Sequence, residues 1–168
     1  MVGPTPRSDR SERSGADADD SRYTTANFLA ALVPTALARR LLRVSVETDR
    51  QVYDRDDSVE ITVEFKNPLP VPIDIPTPEQ RRWGWTVDGL LEASDENRYT
   101  RSRPSSFSFA GGERKRTSFV WNGRFERHHE NGPRESVVPD PGEYEIRVFV
   151  ATHEGTFRPT ATTTVTLR

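Results

Sequence analysis

Residues 59–66 alternate strictly between apolar and polar side chains, and this period of two restricts the fold more than any other feature. The apolar members of the run share one face, whereas the charged and hydroxyl-bearing members share the other. Such alternation is typical of a β-strand with one buried face, and it does not fit the 3.6-residue repeat of a helix. The chain therefore contains at least one strand that requires an apolar core.

The same alternation recurs along the rest of the chain, and turn-forming residues separate the runs. The apolar phases are Leu42-Val44-Val46, Trp83-Trp85-Val87, Phe107-Phe109, Phe119-Trp121, Tyr144-Ile146-Val148-Val150 and Thr163-Val165-Leu167. No helical pattern lies between them, which argues against a parallel α/β sheet. The pattern predicts an all-β, antiparallel sandwich of seven to eight strands over residues 43–168. We expect six of its side chains to face the core: Ile61, Phe65, Trp85, Trp121, Tyr144 and Val148.

Five prolines between residues 68 and 78 surround the short run Val71–Ile75. Proline has no N–H to donate to a sheet ladder, so prolines in sheets are confined to edges and bulges. This run is predicted to be an edge strand or a segment that switches between sheets.

The first 42 residues are predicted to form two segments outside the sandwich. Residues 1–23 contain almost no large apolar side chains, so we expect a disordered tail. Residues 24–42 carry apolar side chains at helical spacing and predict a short helix, bent or broken at Pro34. The apolar stripe of this helix either packs on its own domain or docks onto a partner.

The net charge and the absence of cysteine restrict the kinds of partner that the chain is expected to bind and the kinds of site that it can contain. The net charge is −2 and there are no cysteines. A chain without a strong positive field is not expected to bind nucleic acid, and disulfides and thiolate metal sites are excluded. The apolar run at residues 28–38 is too short to cross a bilayer and follows an acidic, long leader, so neither membrane insertion nor a signal peptide is expected. The prediction is a cytoplasmic protein.

No motif in the sequence predicts catalysis. The chain has neither a nucleophile elbow nor a phosphate-binding glycine loop. Adjacent His128 and His129 would point to opposite sides of a strand, and they lack the spacing of a zinc-binding helix. We therefore expect no enzyme activity, no metal and no cofactor.

The connection from Asn122 to Asp140 is much longer than a usual hairpin loop and is the candidate binding segment. It contains an aromatic residue among arginines and histidines, a composition favoured at protein interfaces. The candidate partner-binding residues are Arg124, Phe125, Arg127, His128, His129 and Arg134. The alternative is a solvated hairpin with the phenylalanine tucked onto the sandwich.

Several short motifs, taken in order, resemble the BsuPI-like family of intracellular proteinase inhibitors. They are a strand ending in Asn67, the run Val71–Ile75, the strand and turn Trp85–Gly89, the turn Gly111-Gly112-Glu113, the strand end Phe119–Gly123 and the turn Pro141-Gly142-Glu143-Tyr144. Gly111 stands where that family usually has proline, and Asn122 stands where it usually has aspartate. The resemblance covers residues 43–168 and implies an immunoglobulin-like sandwich.

The same resemblance implies a non-catalytic module that binds a protein partner, with proteinase inhibition as its specific version. The alternative is a structural or accessory domain that docks onto a larger assembly through its N-terminal helix.

Overall fold

The computed structural model describes residues 33–94, 103–128, 133 and 135–168. The predicted tail over residues 1–23 lies outside the described residues, as do residues 24–32 of the predicted helix. The elements in chain order are helix α1 (Thr35–Leu41) and strands β1 (Arg43–Thr48), β2 (Val52–Tyr53), β3 (Val59–Lys66), β4 (Ile73–Thr77), β5 (Trp83–Val87), β6 (Leu90–Leu91), β7 (Ser105–Phe109), β8 (Arg114–Trp121), β9 (Phe125–Arg127), β10 (Glu135–Val137), β11 (Gly142–Val150) and β12 (Thr160–Leu167).

Two large sheets enclose the core. One has the strand order β1-β3-β8 and the other has the order β2-β12-β11-β5-β6. Strands β4 and β7 form a separate antiparallel pair, and so do β9 and β10. The inward side chains of both large sheets, of β4 and β7 and of α1 belong to a single buried cluster. The chain is therefore an all-β domain with one core.

Eight of the twelve described strands have five or more residues. The other four, β2, β6, β9 and β10, have only two or three residues and were not predicted. Two or three residues are too few for a visible alternation, so periodicity cannot reveal them. The expectation of a purely antiparallel fold is wrong at one point, because β2 pairs with β12 in parallel.

In β3, the side chains that the period-two alternation predicts to face inward are those that the structure buries. In β3 the four apolar side chains are buried, and Ile61, Phe65, Trp121 and Val148 are each at most 2% exposed. Trp85 and Tyr144 are only half-buried, although both pack against the core. These two side chains therefore face the core, as predicted, but they are covered less completely than the other four. Val71–Ile75 is predicted to be an edge strand or a segment that switches between sheets, and β4 pairs only with β7 among the described strands.

Helix α1 begins directly after Pro34, whose carbonyl accepts hydrogen bonds from the N–H groups of Leu37 and Ala38. Proline is tolerated at the start of a helix because the N–H that it lacks would have no partner within that helix. Ala38 is fully buried and Leu42, just past the helix, is 5% exposed, whereas Leu37 is 45% exposed. In the described part of the segment, one side of the helix therefore packs on the chain's own core.

Asn67 fastens the loop after β3 to the turn between β7 and β8. Its Nδ2 donates to the carbonyls of Val71 at 2.9 Å and Ala110 at 2.8 Å, and its Oδ1 accepts from the N–H of Leu69 at 3.0 Å. The side chain is fully buried and its hydrogen bonds are all made. A Cβ at Gly111 would collide with the main-chain carbonyl of Pro70 in the same loop. Proline also carries a Cβ, and this contact accounts for the glycine at that position.

Candidate functional site

Arg124 and Phe125 both make contacts within the domain. The guanidinium of Arg124 pairs with Asp56 at 2.8 Å, and its main-chain carbonyl accepts a hydrogen bond from the indole of Trp121 at 2.8 Å. The half-buried ring of Phe125 lies 5.7 Å from the ring of Trp121 and 5.9 Å from that of Tyr144. Phe125 is therefore packed on the sandwich, which was the alternative interpretation of this segment, and its ring is not a freely exposed anchor.

The other predicted binding residues are divided between the hairpin and undescribed parts of the chain. Arg127 ends β9, where it is exposed and opposite Glu135 of β10. His128 follows it and is half-buried. His129 and Arg134 lie outside the described residues. The structure thus places Phe125 and Arg127 on one short strand and Arg124 directly before it, and partner binding by this segment stays a prediction.

Strand β8 has one open side. All eight of its residues pair with β3, from Arg114 opposite Lys66 to Trp121 opposite Val59. No described strand pairs with its other side. Alternate residues of such an edge direct their N–H and C=O groups away from the sheet, where another strand can bind them. We refer to this side of Arg114–Trp121 as the β8 edge.

An aromatic cluster lies beside the β8 edge, in the gap between the two large sheets. It consists of Trp83 and Trp85 from β5 and Phe119 from β8, all half-buried. The ring of Phe119 is 4.8 Å from that of Trp85 and 5.9 Å from that of Trp83. Strand β6 pairs only with the residues that follow Trp85. The rings of this cluster are therefore partly accessible to solvent next to β8.

The outer surface of the β1-β3-β8 sheet is strongly basic at one end. The β-ladders align Arg43, Lys66 and Arg114 in one row across β1, β3 and β8. Arg116 lies in the next row beside Glu64, and the Glu64 carboxylate is 3.9 Å from the guanidinium of Arg114. Like charges directly opposite each other destabilise a sheet. These two rows, the basic patch, hold four cations and one carboxylate, a net charge of +3, and the carboxylate of Glu47 in the adjoining row lines the same groove as Glu64 and Arg116.

In the described part of the chain, the groups with shifted pKa values lie in turns or near strand ends. The hydrogen bond from the Tyr53 hydroxyl lowers the pKa of Asp49, and burial raises the pKa of Tyr53. The hydrogen bond from Lys115 lowers the pKa of Glu113, whose carboxylate also accepts from the N–H of Ala110. These contacts fix the ends of strands. Their geometry does not suggest an acid and base pair that act on a substrate.

Among the described residues, no group of three or more histidine and acidic side chains is arranged to hold a metal ion. In the same part of the chain, no helix is long and apolar enough to cross a membrane.

The β8 edge and the basic patch were not found from the sequence. One signal was available, because Arg114, Lys115 and Arg116 are consecutive cations at the start of a strand. The alignment of Arg43 and Lys66 beside them depends on the order and register of three strands that are far apart in sequence, and no local pattern encodes that.

The chain is similar to several solved structures, all at low identity. The CARDB domain of a Pyrococcus furiosus protein, crystallised with di-metal ions, is 17% identical, with a TM-score of 0.45, over 76% of this chain and 87% of that one. The sporulation control protein Spo0M from Bacillus subtilis is 14% identical, with a TM-score of 0.46, over 76% of this chain and 49% of that one. The alkylpurine DNA glycosylase AlkC from Pseudomonas fluorescens is 13% identical, with a TM-score of 0.40, over 94% of this chain and 41% of that one. Similarities at this level carry no functional argument.

No curated protein matches the sequence. Residues 30–168 match DUF7974, a family of unknown function, and this range includes α1 and every described strand. The chain belongs to the DUF7974 family.

Proposed function

We propose that this chain is a non-catalytic protein-binding module built on an immunoglobulin-like sandwich, and that it binds an extended segment of its partner at the β8 edge. The added segment would pair with β8 as a fourth strand of the β1-β3-β8 sheet. Main-chain hydrogen bonds supply the affinity in this kind of recognition, and side chains that flank the edge supply specificity.

Two features support the immunoglobulin-like assignment. The strand order β1-β3-β8 puts the first, second and sixth of the eight long strands in one sheet, β5, β11 and β12 belong to the other, and β4 and β7 form a separate pair. In addition, the hydroxyl of Tyr144, near the start of β11, donates to the carbonyl of Asp140 at 2.6 Å. A tyrosine that bonds back to the chain just upstream of this strand is a hallmark of such sandwiches.

The observation that carries the binding proposal is the length of the open edge. Eight consecutive residues in β8 are fully paired on one side and unpaired on the other among the described strands. Long open edges favour pairing with another chain. The aromatic cluster beside this edge offers an apolar surface for inward side chains of the added strand, and aromatic groups are enriched at interfaces.

The structure favours this proposal over docking through the N-terminal helix. Ala38 and Leu42 are already covered by the chain's own core, so the described part of that segment offers only Leu37 to a partner. We propose protein binding in general and not proteinase inhibition, because no contact at the β8 edge suggests a substrate-like loop.

Proline substitution tests the proposal, because proline removes a main-chain donor. Of the neighbouring residues Thr117 and Ser118, one directs its N–H to β3 and the other directs it to the open edge. We expect one of the variants Thr117→Pro and Ser118→Pro to melt close to the wild-type temperature, and that variant has a blocked edge.

The edge-blocked variant and the wild type are then panned against a displayed library of random octapeptides. We expect peptides that bind the wild type and lose at least about 10-fold in affinity for the blocked variant, since several ladder hydrogen bonds near 1 kcal/mol each are removed or displaced. Failure to enrich any peptide, or equal binding to both proteins, would show that the edge is not a binding surface.

A further inference from the structure

We infer that the segment taken up by the β8 edge is an acidic peptide strand that runs antiparallel to β8, with its acidic residues beside Arg114 and Arg116 and its apolar residues beside Phe119 and Val120. This inference rests on the proposed function, since it specifies the partner of the same edge.

The charge environment of Arg114 calls for a carboxylate on the open side. Arg114 has a like charge, Lys66, directly opposite it on the β3 side, and Arg43 lies next to Lys66 in the same row. Among the described residues, its guanidinium pairs with the carboxylate of Glu64, and that contact is long, at 3.9 Å. An acidic residue opposite Arg114 on an added strand would occupy the one flank of this arginine that has no described strand. Opposite charges in directly paired positions stabilise antiparallel sheets.

Arg116 already has an acidic residue directly opposite it within the domain. Its neighbour across the ladder on the β3 side is Glu64. Arg116 and Arg114 are two residues apart, so both project from the outer face of the sheet. An added strand would therefore present acidic residues at two positions separated by one residue.

The other end of β8 is apolar. Val120 projects from the outer face and is 61% exposed, and the half-buried ring of Phe119 belongs to the aromatic cluster on the inner side. A strand that covers the whole edge would place two successive apolar residues there. For an antiparallel strand the order from the N-terminus is thus two apolar residues, two neutral residues, then acidic residues at alternate positions.

A nucleic acid fits these features less well than a peptide. The whole chain has a net charge of −2, and the cations cover only one half of the edge. A polynucleotide would need a basic track that continues along its backbone.

The binding test uses three acetylated, amidated octapeptides and the full chain. The acidic peptide is Thr-Val-Val-Thr-Thr-Glu-Thr-Glu, the basic peptide has lysine in place of both glutamates, and the third is the acidic sequence in reverse order. Fluorescence anisotropy is measured at low and high salt. We expect the acidic peptide to bind about 10-fold more tightly than the basic one at low salt, and the difference to shrink near 1 M salt, where charges are screened beyond about 3 Å. The reversed peptide should bind more weakly than the acidic one.

A charge-reversed protein provides the second arm. Arg114→Glu combined with Arg116→Glu should invert the preference, so that the basic peptide binds better than the acidic one. A gain in affinity for the basic peptide cannot result from unfolding of the variant. Arg147→Glu is the matched control, because Arg147 is an exposed strand arginine on the other large sheet. It should leave the preference unchanged.

Several results would overturn the inference. They are equal binding of the acidic and reversed peptides, no inversion in the double variant, and displacement of the acidic peptide by a DNA oligonucleotide at similar affinity. If random octapeptides bind in an edge-dependent way but none is acidic, the acidic preference is wrong while strand addition stands. If no peptide binds in an edge-dependent way, both proposals fail.

Discussion

Replacing Asn67 with aspartate would exchange a donor for an acceptor at a fully buried side chain while leaving its shape unchanged. The amide nitrogen donates to two carbonyls, those of Val71 and Ala110, and no water is needed to satisfy it. A carboxylate there would face both carbonyl oxygens without a proton to share. The single contact that survives is the one from the N–H of Leu69, at 3.0 Å.

The loss of two hydrogen bonds costs about 1 kcal/mol each, and the buried, partly unsatisfied charge adds to this. We expect Asn67→Asp to lower the free energy of unfolding at pH 7 by about 3–5 kcal/mol, a large part of the total of about 5–15 kcal/mol for a small domain. Urea denaturation followed by tryptophan fluorescence measures this change.

The pH dependence of the Asn67→Asp variant distinguishes the mechanism from simple misfolding. Burial and the facing carbonyls raise the folded-state pKa of the new carboxyl above its unfolded value. The penalty is therefore largest above the folded-state pKa and decreases as the pH falls toward the unfolded value of about 3.9. The gap between the variant and the wild type should be smaller at pH 4 than at pH 7.

Asn122→Asp is the matched control for this experiment. Asn122 is exposed, and its Oδ1 accepts from the N–H of Arg124 at 3.1 Å, a contact that aspartate preserves. We expect a change within about 0.5 kcal/mol, as for surface substitutions in general. If Asn67→Asp were as mild as this control at pH 7, the role given to the Asn67 amide would be refuted.

Three further predictions concern other parts of the fold. Tyr53→Phe should cost about 1 kcal/mol at pH 7, and less at pH 3, because the depressed pKa of Asp49 contributes stability that is lost as the pH falls through it; equal losses at both pH values would contradict this. Gly111→Ala should lower the melting temperature by several degrees, since its Cβ collides with a main-chain carbonyl that cannot rotate away, and an unchanged melting curve would show that the loop adapts. Ala38→Asp should destabilise the isolated chain by about 3 kcal/mol or more by burying a carboxylate, while Leu37→Asp should be nearly neutral. Equal effects of the last two substitutions on thermal unfolding would mean that the helix does not pack on its own domain.

The sequence determined which residues form the long strands and which side of each strand is buried. In β3 and β11 this was possible because side chains alternate with a period of two, so a run of six or more residues defines its own inner face. Local chemistry also restricted the proline-rich strand to a sheet edge or a switch between sheets, since proline lacks a main-chain donor. The location of Phe125 was left open between an interface and the sandwich, because its three-residue strand is too short to show a phase.

Only the tertiary structure decided which strand edge is unpaired among the described strands and which side chains meet on the sheet surface. Period-two alternation defines the faces of a strand but does not identify its neighbours, so the free side of β8 follows only from the order of β1, β3 and β8. The same is true of the basic patch, where Arg43, Lys66 and Arg114 lie in one row through the register of two ladders. Asn67 provides the third case, because its partners at Val71 and Ala110 come from loops 4 and 43 residues away. Strand order and register depend on how the whole chain closes around one core, and the free energy of that closure is not contained in any local segment.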